Sequence, residues 1–238
     1  MPVADEDELA RLTNLVYSAR RDDLRATRIV WHWEAQGFST RLPPRPARVL
    51  IAAAGAGRES MVLAEGGYEV DAFEPNAALI AQWRSSATGG VGKIWRATFD
   101  DFAAGALDRT GPMREVAHRR YDAFVLSWAG LSHCLGSQKR RRLLAAAARV
   151  APGGPLLVSY ADGNGWRHGR AERLGRALAR PLGALRGVSP SPLCSFRGFG
   201  ALERVEDAEM QGHGAALNRT FVLDGRAHTC RYGVLLPE

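Results

Sequence analysis

The sequence predicts a doubly wound α/β fold, in which helices cover both faces of a mostly parallel sheet. From Val49 onward, short apolar runs typical of strands alternate with helical patterns, and the connections between them are short. A loop of small residues, "AAAGAG", follows the first apolar run. Near the end of the chain, "NRTFVL" and "HTCRYGVLL" are joined by the turn signal "DGRA", which predicts an antiparallel hairpin.

A helical segment precedes this alternation. From Asp5 to about Glu34, apolar residues recur near helical spacing after an acidic first turn, which predicts one or two helices, and "QGF" ends the pattern. The Pro-rich "RLPPRPAR" then connects to the first strand. We therefore divide the chain into an N-terminal helical segment, residues 1–40, which is a candidate substrate lid, and a main domain, residues 45–238.

The central part of the chain supplies five strands and three helices. The predicted strands are Arg48–Ala53, Glu69–Phe73, Lys93–Ala97, Ala123–Ser127 and Pro155–Tyr160. The predicted helices cover about Glu59–Glu65, Ala77–Ser85 and Ser137–Val150. The two hairpin runs bring the sheet to seven strands.

The alternation stops after Tyr160, and residues 163–200 form a candidate substrate-covering insertion. Arginines recur there every three or four residues, Arg167 and Arg170 among them, beside a leucine stripe. Such a face suits a carboxylate or phosphate of a substrate, whereas a membrane-surface helix or a solvated helix has the same pattern.

The formal net charge of +7 raises the question of a nucleic-acid partner. Lys93 and Lys139 are the only lysines among the 32 basic residues, and the arginines are spread along the chain apart from Lys139–Arg142. The sequence carries no RRM, KH, zinc-finger or helix-turn-helix signature. A small-molecule substrate is therefore the expected partner, and nucleic acid is not.

The cysteines and the apolar runs bear on location. Cys134, Cys194 and Cys230 are odd in number and lack short metal-ligand spacing, which predicts reduced thiols and no metal site. No apolar run approaches the ~20 residues that span a bilayer. The first residues, "MPVADEDELARL", do not look like a secretory signal. We expect a cytoplasmic protein.

The loop after the first strand predicts a binding site, because ligands of open α/β sheets lie at the carboxyl ends of the strands. Gly55 and Gly57 let a ligand approach the backbone, and Glu74, 19 residues after Gly55, can accept hydrogen bonds from ribose hydroxyls. This spacing suits a dinucleotide as well as S-adenosylmethionine (SAM). The loop alone leaves both open.

Three further features favour SAM. A helix ends in a Pro-Gly-Gly turn before a strand in "VAPGGPLLVSY", the strand in "YDAFVLSWAGLSH" ends in polar and aromatic residues, and a hairpin closes the chain. In order and spacing this set resembles the class I (Rossmann-like) SAM-dependent methyltransferases, which are seven-stranded, over about Arg48 to Tyr160. A dehydrogenase is the lesser alternative, since the sequence has no Tyr-x-x-x-Lys pair.

The resemblance implies a set of cofactor-binding residues. Gly55 and Gly57 match two glycines of the family's first motif, whereas Ala53 replaces its first glycine and Ile51 stands where an acid is common. Glu74 matches the ribose-binding acid. The full set of implied cofactor residues is Ala53, Gly55, Gly57, Glu74, Pro75, Phe99, Asp100, Ser127 and Trp128.

Within that set, two regions bind different parts of SAM. Phe99 and Asp100 are expected to line the adenine pocket, unless Asp100 and Asp101 only begin a helix. Ser127 and Trp128 are expected to flank the methionine part and the methyl group.

The chemistry that the resemblance implies is in-line displacement at a sulfonium, with S-adenosylhomocysteine (SAH) as product and no metal. Its main demands are alignment and exclusion of water, and a base is needed only for a protonated nucleophile. His133 is the candidate base, although it also suits a helix cap or packing. Trp31 and His32 are candidate substrate contacts.

The predicted activity is methyl transfer to an oxygen or nitrogen of a small molecule, anionic or natural-product-like. A SAM-binding but non-catalytic partner subunit is the alternative, because the first motif is degenerate, and an NAD(P)-binding protein is a lesser one.

Overall fold

The computed structural model describes residues 6–19, 29–87, 89–163, 193–194, 200–227 and 230–238. Nine strands are present in these ranges: β1 Arg48–Ala52, β2 Glu69–Glu74, β3 Val91–Arg96, β4 Ala123–Leu126, β5 Leu156–Ala161, β6 Leu193–Cys194, β7 Leu202–Glu203, β8 Arg219–Ala227 and β9 Cys230–Pro237. The α-helices are α1 Glu6–Ala19, α2 His32–Arg41, α3 Arg58–Glu65, α4 Ala77–Ser86, α5 Phe99–Ala103, α6 Ser137–Val150 and α7 Asp207–Ala216. A π-helical turn covers Ala104–Asp108, and 3₁₀ turns cover Arg114–His118 and Gly130–His133.

Seven strands form one sheet in the order β3-β2-β1-β4-β5-β9-β8. Strands β1 to β5 are parallel to one another, and β9 runs antiparallel to both β5 and β8. This is the predicted mixed sheet with a parallel core and a C-terminal antiparallel hairpin, and the fold prediction is confirmed.

The apolar strands form because both faces of the sheet are covered. Along β1, Leu50 packs on one face with Phe73 and Phe124, whereas Val49 and Ile51 pack on the other. All five side chains are almost fully buried. A strand buried on both sides is apolar at every position, which explains the continuous run "VLIA".

Strand β1 lies between β2 and β4. Strands β2 and β3 follow on one side of β1, and β4 and β5 follow on the other, so the strand order reverses at β1. In a doubly wound sheet this switch point opens a crevice at the carboxyl ends of the strands. The loops after β1, β2, β3 and β4 therefore meet at one edge of the sheet.

The predicted helix break at "QGF" is wrong, because Gln36, Gly37 and Phe38 lie inside α2. A Cβ on Gly37 would lie 3.4 Å from Cε2 of Tyr232. That is an ordinary van der Waals distance, so close packing does not require the glycine here, and Phe38 beside it is buried.

The predicted position of the hairpin turn is also wrong. The residues of "DGRA" belong to β8, and its pairing with β9 shifts register between Leu223 and Gly225. The Nε–H of Arg41 is shared by both carboxylate oxygens of Asp224, at 3.0 and 3.1 Å, and Nη2 also donates to Asp224, which ties β8 to the end of α2. A strand with a bulge resembles a turn in sequence, since both use glycine and aspartate.

The region after β5 holds elements that the sequence did not predict. Helix α7 precedes β8, and β6 pairs with β7 as a small antiparallel sheet. Arg167, Arg170 and most of the candidate insertion 163–200 lie outside the described residues. Within the described ranges, no helix combines the length and the apolar character needed to cross a bilayer.

Arg219, at the start of β8, holds the hairpin to the Pro-Gly-Gly turn. Its side chain is buried, and its guanidinium donates to the backbone carbonyl oxygens of Ala151, Pro152, Gly154 and Leu235 at 2.6–3.2 Å. Burial lowers the pKa of this guanidinium.

Replacing this arginine tests the attachment. Arg219→Met is expected to lower the free energy of unfolding by about 2–4 kcal/mol, because buried carbonyls lose their charged donor. Arg141→Met, on the exposed side of α6, is the matched control and should change it by less than about 0.5 kcal/mol. Urea titration measures both, and equal effects would contradict this role of Arg219.

Candidate functional site

A cavity of about 620 Å³ opens at the carboxyl edge of the parallel strands. Its size lies within the ~300–1,000 Å³ typical of small-molecule sites. The loops after β1 to β4 line it, and α1 and the segment before α2 cover it. The predicted site residues that line it are Trp31, Ala53, Gly55, Glu74, Pro75, Phe99, Asp100, Ser127, Trp128 and His133.

The loop after β1 uses left-handed backbone conformations. Ala53 has φ of 49°, Gly55 of 56° and Gly57 of 98°. Gly57 does not line the cavity; a Cβ there would lie 2.5 Å from Cδ1 of Trp83, so the glycine serves close packing. Ala53 carries its methyl group in a conformation that favours glycine.

Glu74 ends β2 and joins this loop to the next helix. Its buried carboxylate accepts hydrogen bonds from the backbone N–H of Gly55, at 3.0 Å, and of Asn76, at 2.9 Å. Burial raises the pKa of Glu74 to about 7, and the two N–H donors oppose that shift. Near neutral pH, the carboxylate can accept further hydrogen bonds from hydroxyl groups of a ligand.

The two aspartates after β3 have different roles. Asp101 accepts from the backbone N–H and hydroxyl of Thr98, and the Thr98 hydroxyl accepts from the N–H of Asp101, so this pair caps α5. Asp101 does not line the cavity, whereas Asp100, Phe99 and Thr98 do. The ring of Phe99 packs edge-on against Phe73 at 6.2 Å between centroids.

After β4, Trp128 and Ala129 both have positive φ, 49° and 55°. The N–H of Ala129 donates to the Ser159 hydroxyl at 3.0 Å, which holds this strained turn against β5. The turn directs the Trp128 indole into the cavity, where the Arg58 guanidinium lies 5.4 Å from the ring centroid. Ser127 lines the cavity beside it.

Arg58 begins α3 and pairs with two buried carboxylates. It donates to Glu34 at 2.5 and 2.7 Å and to Glu59 at 2.5 Å. Glu34 also accepts from the N–H of Trp31 at 2.8 Å, so the pair fixes the start of α2 at the cavity rim. Burial raises the pKa of Glu59. One guanidinium between two carboxylates leaves this group with a surplus of negative charge when both are ionised.

The half-buried ring of His133 lines the cavity. Its Nε2 lies 3.0 Å from the Tyr17 hydroxyl, and its Nδ1 lies 3.0 Å from the carbonyl oxygen of Ala201. Burial lowers the pKa of His133 to about 4, and the bond to Ala201 opposes this. Tyr17 thus stands at His133 Nε2, on the side of the ring that the carbonyl does not occupy.

One predicted substrate contact lies elsewhere. His32 is exposed on α2 and does not line the cavity, although its neighbour Trp31 does. In the ranges described, His, Cys, Asp and Glu side chains form no group of three or more that could hold a metal ion.

Sequence reasoning missed Tyr17, Arg58 and Glu59, which line the cavity. Arg58 and Glu59 could have been found, because they begin the helix that follows the glycine loop. The position of Tyr17 at the cavity could not be predicted, because the local sequence of α1 does not show which side of that helix faces the sheet.

Comparisons with solved structures agree on the fold. A 1,6-didemethyltoxoflavin-N1-methyltransferase from Burkholderia thailandensis, solved with its substrate and SAH, is 17% identical, with a TM-score of 0.60 over 99% of this chain and 90% of that chain. The CcbJ methyltransferase from Streptomyces caelestis is 16% identical, with a TM-score of 0.57 over 86% and 88%. A magnesium protoporphyrin IX methyltransferase from Synechocystis PCC 6803, solved with SAM, is 14% identical, with a TM-score of 0.52 over 100% and 86%. No family model and no curated protein sequence matches the chain.

The left-handed alanine of the first loop gives a test of strain. Ala53→Gly is expected to raise the free energy of unfolding by about 1 kcal/mol, and the melting temperature by roughly 2–4 °C, because glycine adopts this φ without steric cost. Ala54→Gly is the matched control: this neighbour lacks a positive φ, so its substitution should lower stability. Calorimetry measures both, and a loss of stability in Ala53→Gly would contradict the strain.

Proposed function

We propose, from the premise that this chain has the class I (Rossmann-like) SAM-dependent methyltransferase fold, that it transfers the methyl group of SAM to a nitrogen or oxygen of a small molecule. SAH is the second product. The observation that carries the proposal is the buried Glu74 carboxylate, bonded to the N–H of Gly55 and facing a cavity at the switch point of the sheet.

The cavity contains residues suited to bind each part of SAM. Glu74 accepts hydrogen bonds from the ribose hydroxyls, and the loop from Ala53 to Gly55 lies beside the ribose with Pro75. Phe99 covers the adenine face, and Asp100 accepts from its exocyclic amine.

The methionine part and the methyl group lie towards Ser127, Trp128 and Arg58. The Glu34–Arg58–Glu59 group carries no surplus of positive charge, which suits a cofactor that carries a sulfonium. The Arg58 guanidinium and the Trp128 indole, with 5.4 Å between the guanidinium and the ring centroid, line this end of the cavity.

The acceptor enters on the side of the cavity formed by Trp31, Tyr17 and His133. In the transfer, the bond between the nucleophile and the methyl carbon forms as the carbon–sulfur bond breaks, and its electron pair goes to sulfur. The chain's contribution is to align the two molecules and exclude water. His32 and the arginines Arg167 and Arg170 stay candidates for contact with parts of the substrate outside this cavity.

Calorimetric titration with SAM and SAH tests the proposal. Both are expected to bind, and Glu74→Ala is expected to weaken binding by about 1–3 kcal/mol because the ribose loses a charge-assisted acceptor. Failure of both ligands to bind the wild-type protein would refute the proposal. Binding of SAM without SAH formation across amine and hydroxyl acceptors would favour a non-catalytic partner subunit.

The pH dependence of SAH affinity tests the state of Glu74. With a pKa of about 7 in the free protein, the carboxyl holds a proton at lower pH, and ribose donors favour the ionised form. Binding then releases that proton, so affinity should fall as the pH decreases from about 8 to about 5. Glu74→Gln should bind weakly at every pH. An equal slope in this variant would contradict the assignment.

The adjacent aspartates provide a matched pair for the adenine site. Asp100→Asn is expected to weaken SAH binding by about 0.5–1.5 kcal/mol, because an acceptor of the adenine amine is replaced by an amide. Asp101→Asn should leave the affinity unchanged and lower the melting temperature, because it weakens the cap of α5. The reverse pattern would move the adenine site away from Asp100.

A further inference from the structure

Tyr17, His133 and Ala201 form a continuous hydrogen-bonded chain along the acceptor side of the cavity. Both bonds to His133 are 3.0 Å long, and the Tyr17 and His133 rings meet edge-on at 5.7 Å between centroids. The far end is itself fixed, because the N–H of Ala201 donates to the Thr13 hydroxyl at 2.9 Å. Thr13 and Tyr17 lie one turn apart on α1.

The hydrogen bonds from Tyr17 through His133 to Ala201 determine which atom donates at each step. A carbonyl oxygen only accepts, so the Nδ1 of His133 must carry the hydrogen that it donates to Ala201. In the neutral ring Nε2 then carries none and accepts the hydroxyl hydrogen of Tyr17. The low pKa of His133, about 4, keeps the ring neutral at physiological pH.

Since its hydrogen points to His133, the Tyr17 oxygen can only accept from a ligand in the cavity. We propose that Tyr17 contacts the methyl acceptor and accepts a hydrogen bond from an N–H or O–H on its nucleophilic atom, and that His133 is a positioning residue which sets this polarity. The inference rests on the proposed function and narrows it: amines and alcohols or phenols fit, whereas carboxylates and tertiary amines do not.

The geometry accounts for the proton in each case. An amine held by its N–H turns its lone pair to the methyl carbon; after transfer the nitrogen is an ammonium and releases its proton to water. A hydroxyl gives its proton to the Tyr17 oxygen while the Tyr17 proton passes to His133 Nε2, and the imidazolium then returns to neutral by losing a proton to solvent.

The first experiment reads the tautomer of His133 directly. In ¹⁵N-histidine-labelled protein saturated with SAH, His133→Gln identifies its signals among the six histidines. We expect the Nδ1–H tautomer, and a shift of the Nε2 resonance in Tyr17→Phe. An Nε2–H tautomer would overturn the proposal, because the Tyr17 hydroxyl would then be the acceptor of that bond and a donor to the ligand.

The second experiment uses small aromatic ligands to test whether the Tyr17 oxygen accepts a hydrogen bond from the ligand. We compare aniline with N,N-dimethylaniline, and phenol with anisole, by NMR titration of the SAH-loaded protein. The hydrogen-bearing member of each pair is expected to bind about three- to tenfold more tightly, and Tyr17→Phe should abolish that preference. His133→Gln, whose amide oxygen can accept the Tyr17 hydrogen, should retain part of it.

The outcomes separate this inference from the proposed function. If SAH binds and Tyr17→Phe leaves the preference unchanged, or if the wild type prefers the methylated probes, the role of Tyr17 is overturned while cofactor binding stands. If SAH does not bind, the proposed function itself fails.

Discussion

The buried carboxylate of Glu74 connects more of the site than any other single group. It accepts from the N–H of Gly55, which fixes the loop after β1, and from the N–H of Asn76, which begins α4. The Asn76 side chain caps α4 through its oxygen and donates through its nitrogen to Asn14 and Ser18 of α1. One carboxylate at the end of β2 therefore aligns the ligand loop, a neighbouring helix and the helix that covers the cavity.

Helix α1 and the start of α2, which cover the cavity, make polar contacts at the cavity and beside it. Helix α1 bonds to Asn76 on one side and to His133 and Ala201 on the other, and α2 is fixed by the pairing of Glu34 with Arg58. Because His133, Ala201 and Arg58 also line the cavity, part of its enclosure and part of its polarity come from the same bonds. A ligand that changes one of these hydrogen bonds therefore changes both the enclosure and the polarity of the cavity.

Strands β1, β4 and β5 could be predicted from local pattern because they are buried along almost their whole length, so their residues are mainly apolar. Two local predictions, the helix break at "QGF" and the hairpin turn at "DGRA", were wrong for the same reason. Gly37 and Gly225 resemble breakers, yet Gly37 lies inside α2 and Gly225 sits in a strand bulge. A glycine inside a helix or a strand cannot be distinguished in sequence from one in a turn.

By itself, the sequence determined the sheet, the hairpin, the loop with Gly55 and the acid at Glu74, since period and spacing along one chain encode them. Only the tertiary structure decided which of two adjacent aspartates faces the cavity, and that Ala53 takes a left-handed conformation. It also brought Tyr17 to His133 across 116 positions. Such contacts depend on how elements pack across the switch point, and hydrogen-bond direction exists only once both partners are in place.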